Sequence, residues 1–263
     1  MVLIENIIEV PRDCVVDIVI PKKEVFEAGD LKTKDKKIFT DLVKQIKWCY
    51  KFSEENVRVQ KYIDDKRKYH EVELFNVTLK YENVHKIAIG KFKEDDKIDM
   101  VANILMRFIP YPLILVMQYE NELKFYGAHI RDSKADYNKI VIEDKIISTN
   151  WMDMDNLSEI EENFILKIQF DNFNRTNFYK FYNTYFESIV QHDGAITAGG
   201  IVNLPVEKIK RIYDEISMLD LKIKEIEKEI SQEPNYNRKV ELNIEAEEFK
   251  SKKEKLISEL KTE

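Results

Sequence analysis

PVEKIKRIYDEISMLDLKIKEIEKEISQEPNYNRKVELNIEAEEFKSKKEKLISEL, residues 205–260, contains two helical patterns separated by a short break. Apolar residues recur in the first pattern at the alternating four- and three-residue spacing of a coiled-coil seam. They are Ile212, Ile216, Leu219, Ile223, Ile226 and Ile230. The same register continues in Leu242, Ala246, Phe249, Lys253, Leu256 and Leu260, with weak points at Ala246 and Lys253. Pro234 interrupts the helix, and a short connection makes neighbouring helices antiparallel. Residues 205–263 are therefore predicted to form an antiparallel coiled-coil hairpin.

The preceding sequence alternates between strand and helix patterns and predicts an α+β domain over residues 1–195, with a linker over 196–204. Predicted strands are Val15–Ile20, Asn56–Gln60, Glu71–Lys80, Ile87–Gly90, Pro112–Tyr119, Leu123–Ile130 and Lys139–Ser148. Predicted helices cover Lys34–Trp48, Ile98–Phe108, Leu157–Ile168 and Phe178–Ile189, although Phe164–Phe170 also alternates like a strand. PLILVMQY, residues 112–119, is apolar enough for a strand buried on both faces. These patterns favour a mixed β-sheet with flanking helices.

Composition excludes several classes of protein. The 263-residue chain has a net charge of -7, which argues against binding duplex nucleic acid over the whole surface. Cys14 and Cys49 are the only cysteines and have no metal-ligand spacing, and six glycines form no phosphate-binding loop. We therefore expect no cofactor and no metal. The N-terminus lacks a signal-peptide pattern and no apolar run is long enough to cross a membrane, so we expect a cytoplasmic protein without membrane contact.

Two weak basic clusters are the candidates for nucleic-acid binding. The first is Lys66, Arg67 and Lys68, in a predicted hairpin with tyrosines on either side. The second is Arg175 and Lys180, within the aromatic segment FDNFNRTNFYKFYNTYF. Because the aromatic spacing is helical, core packing is favoured over base stacking in this segment. A non-catalytic nucleic-acid-binding protein is one alternative function.

Five phrases, in order along the chain, carry a family resemblance. They are IPKKEVF, FTDLVKQIKWCYKF, VELFNVTLK, ILMRFIPYPLILVMQY and NYNRKVELNIEAEEFK. Together they resemble the bacterial and archaeal family called domain of unknown function 4391 (DUF4391), from Pro21 to Lys250. The resemblance implies no agreed activity. It implies an accessory protein encoded near helicases and DNA methyltransferases in restriction-like or antiphage clusters.

The order of predicted elements is also similar to a restriction-endonuclease-like core, in which an acid and an acid-x-lysine hold a divalent metal. Lys80 ends a predicted strand suitably, but Thr78 stands where that pattern needs an acid. Glu73 and Asp65 are nearby acids that do not complete it. A divergent metal-dependent nuclease using Lys80, Glu73 and Asp65 is therefore an alternative and not the preferred interpretation.

The preferred hypothesis is a non-catalytic accessory subunit of a defence system. Its hairpin would dock on a helicase or methyltransferase, or on a second copy of the chain. The apolar seam is buried between the two helices, so only the outer faces and the tip are exposed for binding a partner. The predicted partner-binding residues at the tip are Asn235, Tyr236, Asn237, Arg238 and Lys239.

Overall fold

The computed structural model of the chain describes residues 7–28, 31–80, 95–133 and 140–261. The chain divides into two compact units, Met1–Ile189 and Val190–Glu263. The strands are β1 Val15–Val19, β2 Val43–Ser53, β3 Tyr62–Ile63, β4 Lys68–Tyr69, β5 Glu71–Leu79, β6 Leu113–Tyr119, β7 Glu122–Gly127, β8 Ile130–Asp132, β9 Ile140–Ile142, β10 Ile147–Ser148 and β11 Met152–Asp153. The helices are α1 Lys22–Ala28, α2 Thr33–Leu42, α3 Glu54–Val57, α4 Asp95–Phe108, α5 Glu159–Lys167, α6 Phe178–Ala198, α7 Val206–Gln232 and α8 Tyr236–Lys261.

A mixed sheet forms the centre of the first unit. Its strand order is β1-β2-β5-β6-β7-β10, and β11 also pairs with β7. β5 and β6 are parallel and are connected through α4, whereas the other neighbouring strands are antiparallel. All seven residues of β6 are buried, as its apolar sequence predicted. The predicted α+β class and mixed sheet are confirmed.

Helices cover both faces of this sheet. On one face, α5 and the first part of α6 pack their aromatic rings against β2, β5, β6 and β7. On the other face, α1, α2 and α4 pack against the alternate residues of the same strands. A buried hydrogen-bond network crosses the aromatic face: the Tyr69 hydroxyl accepts the Ile130 N–H at 3.0 Å and lies 3.0 Å from Nδ1 of His129. The His129 Nε2 in turn lies 3.1 Å from the Asn183 amide oxygen. The dense aromatics of α6 therefore serve mainly as core.

Three predicted elements differ from the elements that form. The helix predicted over Lys34–Trp48 ends at Leu42, because residues from Val43 onward pair with β5 as strand β2. The strand predicted over Asn56–Gln60 is wrong: the Asn56 side chain caps α3 by accepting the Ser53 N–H at 2.8 Å. The strand predicted over Lys139–Ser148 is interrupted, and its described part forms β9 and β10. The predicted strand Ile87–Gly90 lies outside the described residues.

An extra residue interrupts the pairing of β2 with β5 at two places, first between Val43 and Gln45 and then beside Trp48. The register shifts between Trp48 and Tyr50, so Cys49 has no counterpart on β5. Cys49 and Tyr50 consequently both face the aromatic cluster, while Trp48 packs on the opposite face. Such a bulge changes which face the following residues occupy.

The helical hairpin in the second unit is confirmed. Ile226, Leu242 and Ala246 form its buried core near the tip. Lys253 contacts Asp220 at 2.6 Å and Lys250 contacts Glu227 at 3.6 Å, so the partners run in opposite directions along α7 and α8. The helices are therefore antiparallel, and a coiled-coil supercoil stays a prediction. Lys253, a weak point of the seam, is accommodated by its ion pair.

Candidate functional site

Two glutamates lie on the same face of the sheet at the start of β5. Glu71 and Glu73 are two residues apart, which directs both side chains to the face that α4 covers. Further along β5 that face carries Phe75, Val77 and Leu79. Glu73 is only 2% exposed, which is unusual for a carboxyl group. The pair is therefore a polar site at the edge of an apolar layer.

Side chains from two other segments satisfy the pair. The Trp48 indole N–H donates to a carboxyl oxygen of Glu73, and the ring stacks on Phe75 with centroids 5.9 Å apart. The Lys51 ammonium lies 2.7 Å from a Glu71 oxygen. Tyr111, just before β6, is hydrogen-bonded to Glu71. The cluster of Trp48, Lys51, Glu71, Glu73 and Tyr111, which we call the carboxyl cluster, thus joins β2, β5 and the segment before β6.

Burial controls the protonation of this cluster. It raises the pKa of Glu73 to about 8, and the neighbouring charge of Glu71 acts in the same direction. The Trp48 hydrogen bond and the Lys51 charge oppose the increase without cancelling it. At neutral pH Glu73 therefore keeps its proton, hydrogen-bonded to Glu71. The cluster can therefore hold or release one proton on Glu73.

The residues predicted for a nuclease site are not brought together. Lys80 directly follows β5 and lies seven residues from Glu73, about 23 Å at roughly 3.3 Å per residue of extended chain. The Lys80 ammonium donates to the Thr40 carbonyl at 2.6 Å. Asp65 lies in the turn between β3 and β4. The structure instead places Lys51 beside the glutamates.

Lys51 was not predicted as a site residue, because strand β2 was not predicted there. The helix predicted through Trp48 left the following residues without an assigned element. A signal did exist: Trp48, Tyr50 and Phe52 are aromatic at every second position, which is the spacing of a strand. A strand through these residues would have suggested a partner for β5.

Acidic neighbours pair with two of the three predicted nucleic-acid-binding residues in the β3–β4 hairpin. Arg67 lies 2.8 Å from Glu143 and 3.2 Å from Asp64, and Lys68 lies 2.6 Å from Asp132. Lys66 is exposed at the turn. These pairs reduce the positive field that a phosphate backbone would meet.

The second predicted nucleic-acid group is Arg175 and Lys180. Arg175 pairs with Asp171 at 2.7 Å, and its guanidinium lies 4.6 Å from the centroid of the Phe170 ring. Lys180 is exposed in the first turn of α6. The preceding residue, Tyr179, contacts the β3–β4 hairpin, since the Arg67 guanidinium lies 5.3 Å from the centroid of the Tyr179 ring. Lys180 therefore follows a residue that contacts the β3–β4 hairpin, and Arg175 is already paired with an acid.

The predicted partner-binding residues form the first turn of α8. The Asn235 side chain accepts the backbone N–H groups of Asn237 and Arg238, at 2.9 and 3.2 Å, and so caps the helix. Arg238 pairs with Glu241 at 2.8 Å, and Lys239 is half-buried. Tyr236 is 78% exposed. Asn235 is therefore structural, whereas Tyr236 is available for recognition.

The family model described as "Domain of unknown function (DUF4391)" matches residues 8–252, nearly the whole chain. The chain belongs to the DUF4391 family. This confirms the family resemblance. No curated protein and no solved structure matches the chain.

The donor atoms of this DUF4391 member do not complete a metal site in the part of the chain that the structure describes. There, no group of three or more His, Cys, Asp or Glu side chains could hold an ion. The carboxyl cluster offers two carboxyl groups, one of them paired with Lys51. Divalent cations such as Mg²⁺ and Ca²⁺ prefer several oxygen ligands. Across the same residues, no helix is long and apolar enough to cross a membrane.

Proposed function

We propose that this protein is a non-catalytic binding subunit that docks on a partner protein through the outer face of α8. The observation that supports this is a row of exposed apolar side chains at four-residue spacing. Tyr236 is 78% exposed, Val240 is 42% exposed and Ile244 is 58% exposed. Residues four apart lie on one helix face, and the buried seam residues of α8 do not include these three.

The row and its continuation define the chemistry of the partner. Burying an apolar side chain fully contributes about 1.5–3 kcal/mol, so three partly exposed ones supply several kcal/mol before the costs of association. Beyond the row the same face carries Glu247 and Glu248, then Lys252 and Lys255. A matching partner helix would present apolar residues, then basic ones, then acidic ones.

Helicases and DNA methyltransferases are the partners we propose, in a cytoplasmic defence system. This part of the proposal rests on the association that the family resemblance implies. Under this proposal, any catalytic activity of the complex belongs to the partner.

The test is co-purification of the full chain with the products of neighbouring genes. We expect Val240→Asp with Ile244→Asp to abolish co-purification while far-UV circular dichroism stays unchanged. Leu166→Asp is the matched control, because Leu166 is 62% exposed on α5 and belongs to the first unit. Deleting residues 205–263 should have the same effect as the double variant, provided that the remaining core folds. Co-purification that survives the double variant would refute the proposal, and a dimer in light scattering would identify a second copy as the occupant.

A divergent metal-dependent nuclease is the second candidate, since Lys51 lies 2.7 Å from one of two adjacent glutamates on the neighbouring strand. Two carboxyl groups and a lysine are the residue types that such enzymes use. The test is cleavage of DNA in Mg²⁺ or Mn²⁺. Activity from the carboxyl cluster would be lost in Lys51→Ala and kept in Lys80→Ala, whereas activity from the predicted strand-end set would show the reverse. No cleavage by the wild-type protein removes this candidate.

A further inference from the structure

The carboxyl cluster has an unusual balance of charges. On the described residues, the groups that face Glu73 are Trp48 and Lys51 from β2, Glu71 from β5, and Tyr111 from the segment before β6. Lys51 is the one cation among them. With the proton on Glu73, the two carboxyl groups carry a single negative charge, which matches the charge of Lys51. Without that proton, two negative charges face one cation in a site where Glu73 is 2% exposed.

Loss of the proton would also change the hydrogen bonds. The protonated carboxyl group of Glu73 can donate to Glu71 and still accept from the Trp48 indole. Two ionised carboxylates have no hydrogen-bond donor between them, and two neighbouring negative charges repel each other. Relief requires one side chain to move toward water. Lys51 and Glu71 lie on the solvent side, with 37% and 14% of their side chains exposed.

We propose that the proton of Glu73, donated in a hydrogen bond to Glu71, holds β2, β5 and the segment before β6 together as a latch, and that mild alkali opens this corner of the sheet. The latch is independent of the docking function, because it involves only the first unit. It makes the packing around Trp48 sensitive to pH near the physiological range.

Trp48 provides a direct reporter, because its indole donates to Glu73. The chain has two tryptophans, so Trp151→Phe leaves Trp48 as the sole indole. In this background we expect the emission of Trp48 to change in one step with a midpoint close to the Glu73 pKa of about 8. Glu73→Gln should abolish the step, because the amide keeps the hydrogen bonds of the protonated acid and cannot ionise.

Two further variants should move the midpoint in opposite directions. Glu71→Gln removes the neighbouring negative charge and should lower the midpoint by about one pH unit. Lys51→Met removes the stabilising cation and should raise it by about one pH unit. Lys66→Met, in the exposed turn between β3 and β4, is the control and should leave the midpoint unchanged. These variants keep the test decisive even if Glu73→Gln fails to fold.

Hydrogen exchange reports the opening itself. After correction for the intrinsic pH dependence of exchange, peptides from β2 and β5 should exchange faster above the midpoint than below it. Peptides from α7 and α8 should show no such change. A fluorescence step that persists in folded Glu73→Gln overturns the proposal. Shifts of the Glu71→Gln and Lys51→Met midpoints in the same direction also overturn it, as does unchanged exchange in β2 and β5.

Discussion

Replacing Glu73 by glutamine should stabilise the protein at neutral pH, although it removes a buried and fully hydrogen-bonded side chain. Folding raises the pKa of Glu73 from its ordinary value of 4.5 to about 8. Between these values the unfolded chain has lost the proton and the folded protein keeps it, so stability falls as pH rises. At about 1.4 kcal/mol per pH unit, this protonation costs about 3 kcal/mol at pH 7 and reaches about 5 kcal/mol above pH 8. Glutamine avoids this cost, while its amide can still accept from Trp48 and donate to Glu71.

The assay is urea unfolding of both proteins between about pH 4 and pH 9, followed by circular dichroism. The two free energies of unfolding should converge near pH 4, where the acid is protonated in both states. The variant should become the more stable by about 3 kcal/mol at pH 7. Glu225→Gln, an exposed position on α7, is the control and should follow the wild-type curve. A variant that is destabilised by the same amount at every pH would refute the reasoning, because the difference would then come from packing and not from protonation.

Three other substitutions test the packing. Gly127→Ala places a methyl group 3.1 Å from the Tyr185 ring and should lower the free energy of unfolding by about 1–3 kcal/mol. Gly200→Ala is the control: its methyl group meets open space, so the calorimetric midpoint should stay unchanged or rise slightly. Tyr69→Phe leaves buried polar groups on the aromatic face without their hydroxyl partner and should cost about 1–3 kcal/mol in urea unfolding. Lys253→Leu adds an apolar residue to the seam and should raise the thermal midpoint of the helical signal, and a lower midpoint would mean that the ion pair matters more than the seam.

Periodicity predicted the elements whose burial follows one simple pattern. The two C-terminal helices α7 and α8 and the buried strand β6 are such cases, and these elements form as expected. At Val43 the sequence fits a helix face as well as a strand, and pairing with β5 decides the outcome. That decision depends on residues about thirty positions later, which a local pattern does not include.

The candidate site was predicted only in part for a related reason. Glu73 was noticed because its strand was recognised, and Lys51 was missed because its strand was not. Proximity across two strands depends on register, and register depends on the bulge at Cys49. The family resemblance included the phrase Asn235–Lys250 of the helical hairpin but assigned it no activity, so the exposed row Tyr236, Val240 and Ile244 became visible only once burial was known.

The extra residue at Cys49 decides which face of the sheet Lys51 occupies. If β2 kept its length but paired with β5 in unbroken alternation, Lys51 would lie opposite Val72 on the aromatic face, and the glutamate pair would lose its cation. Deleting one residue between Trp48 and Lys51 would instead remove the bulge and leave Lys51 opposite Glu73. Family members that keep the lysine and both glutamates should therefore keep or lose the extra residue and the bulge together.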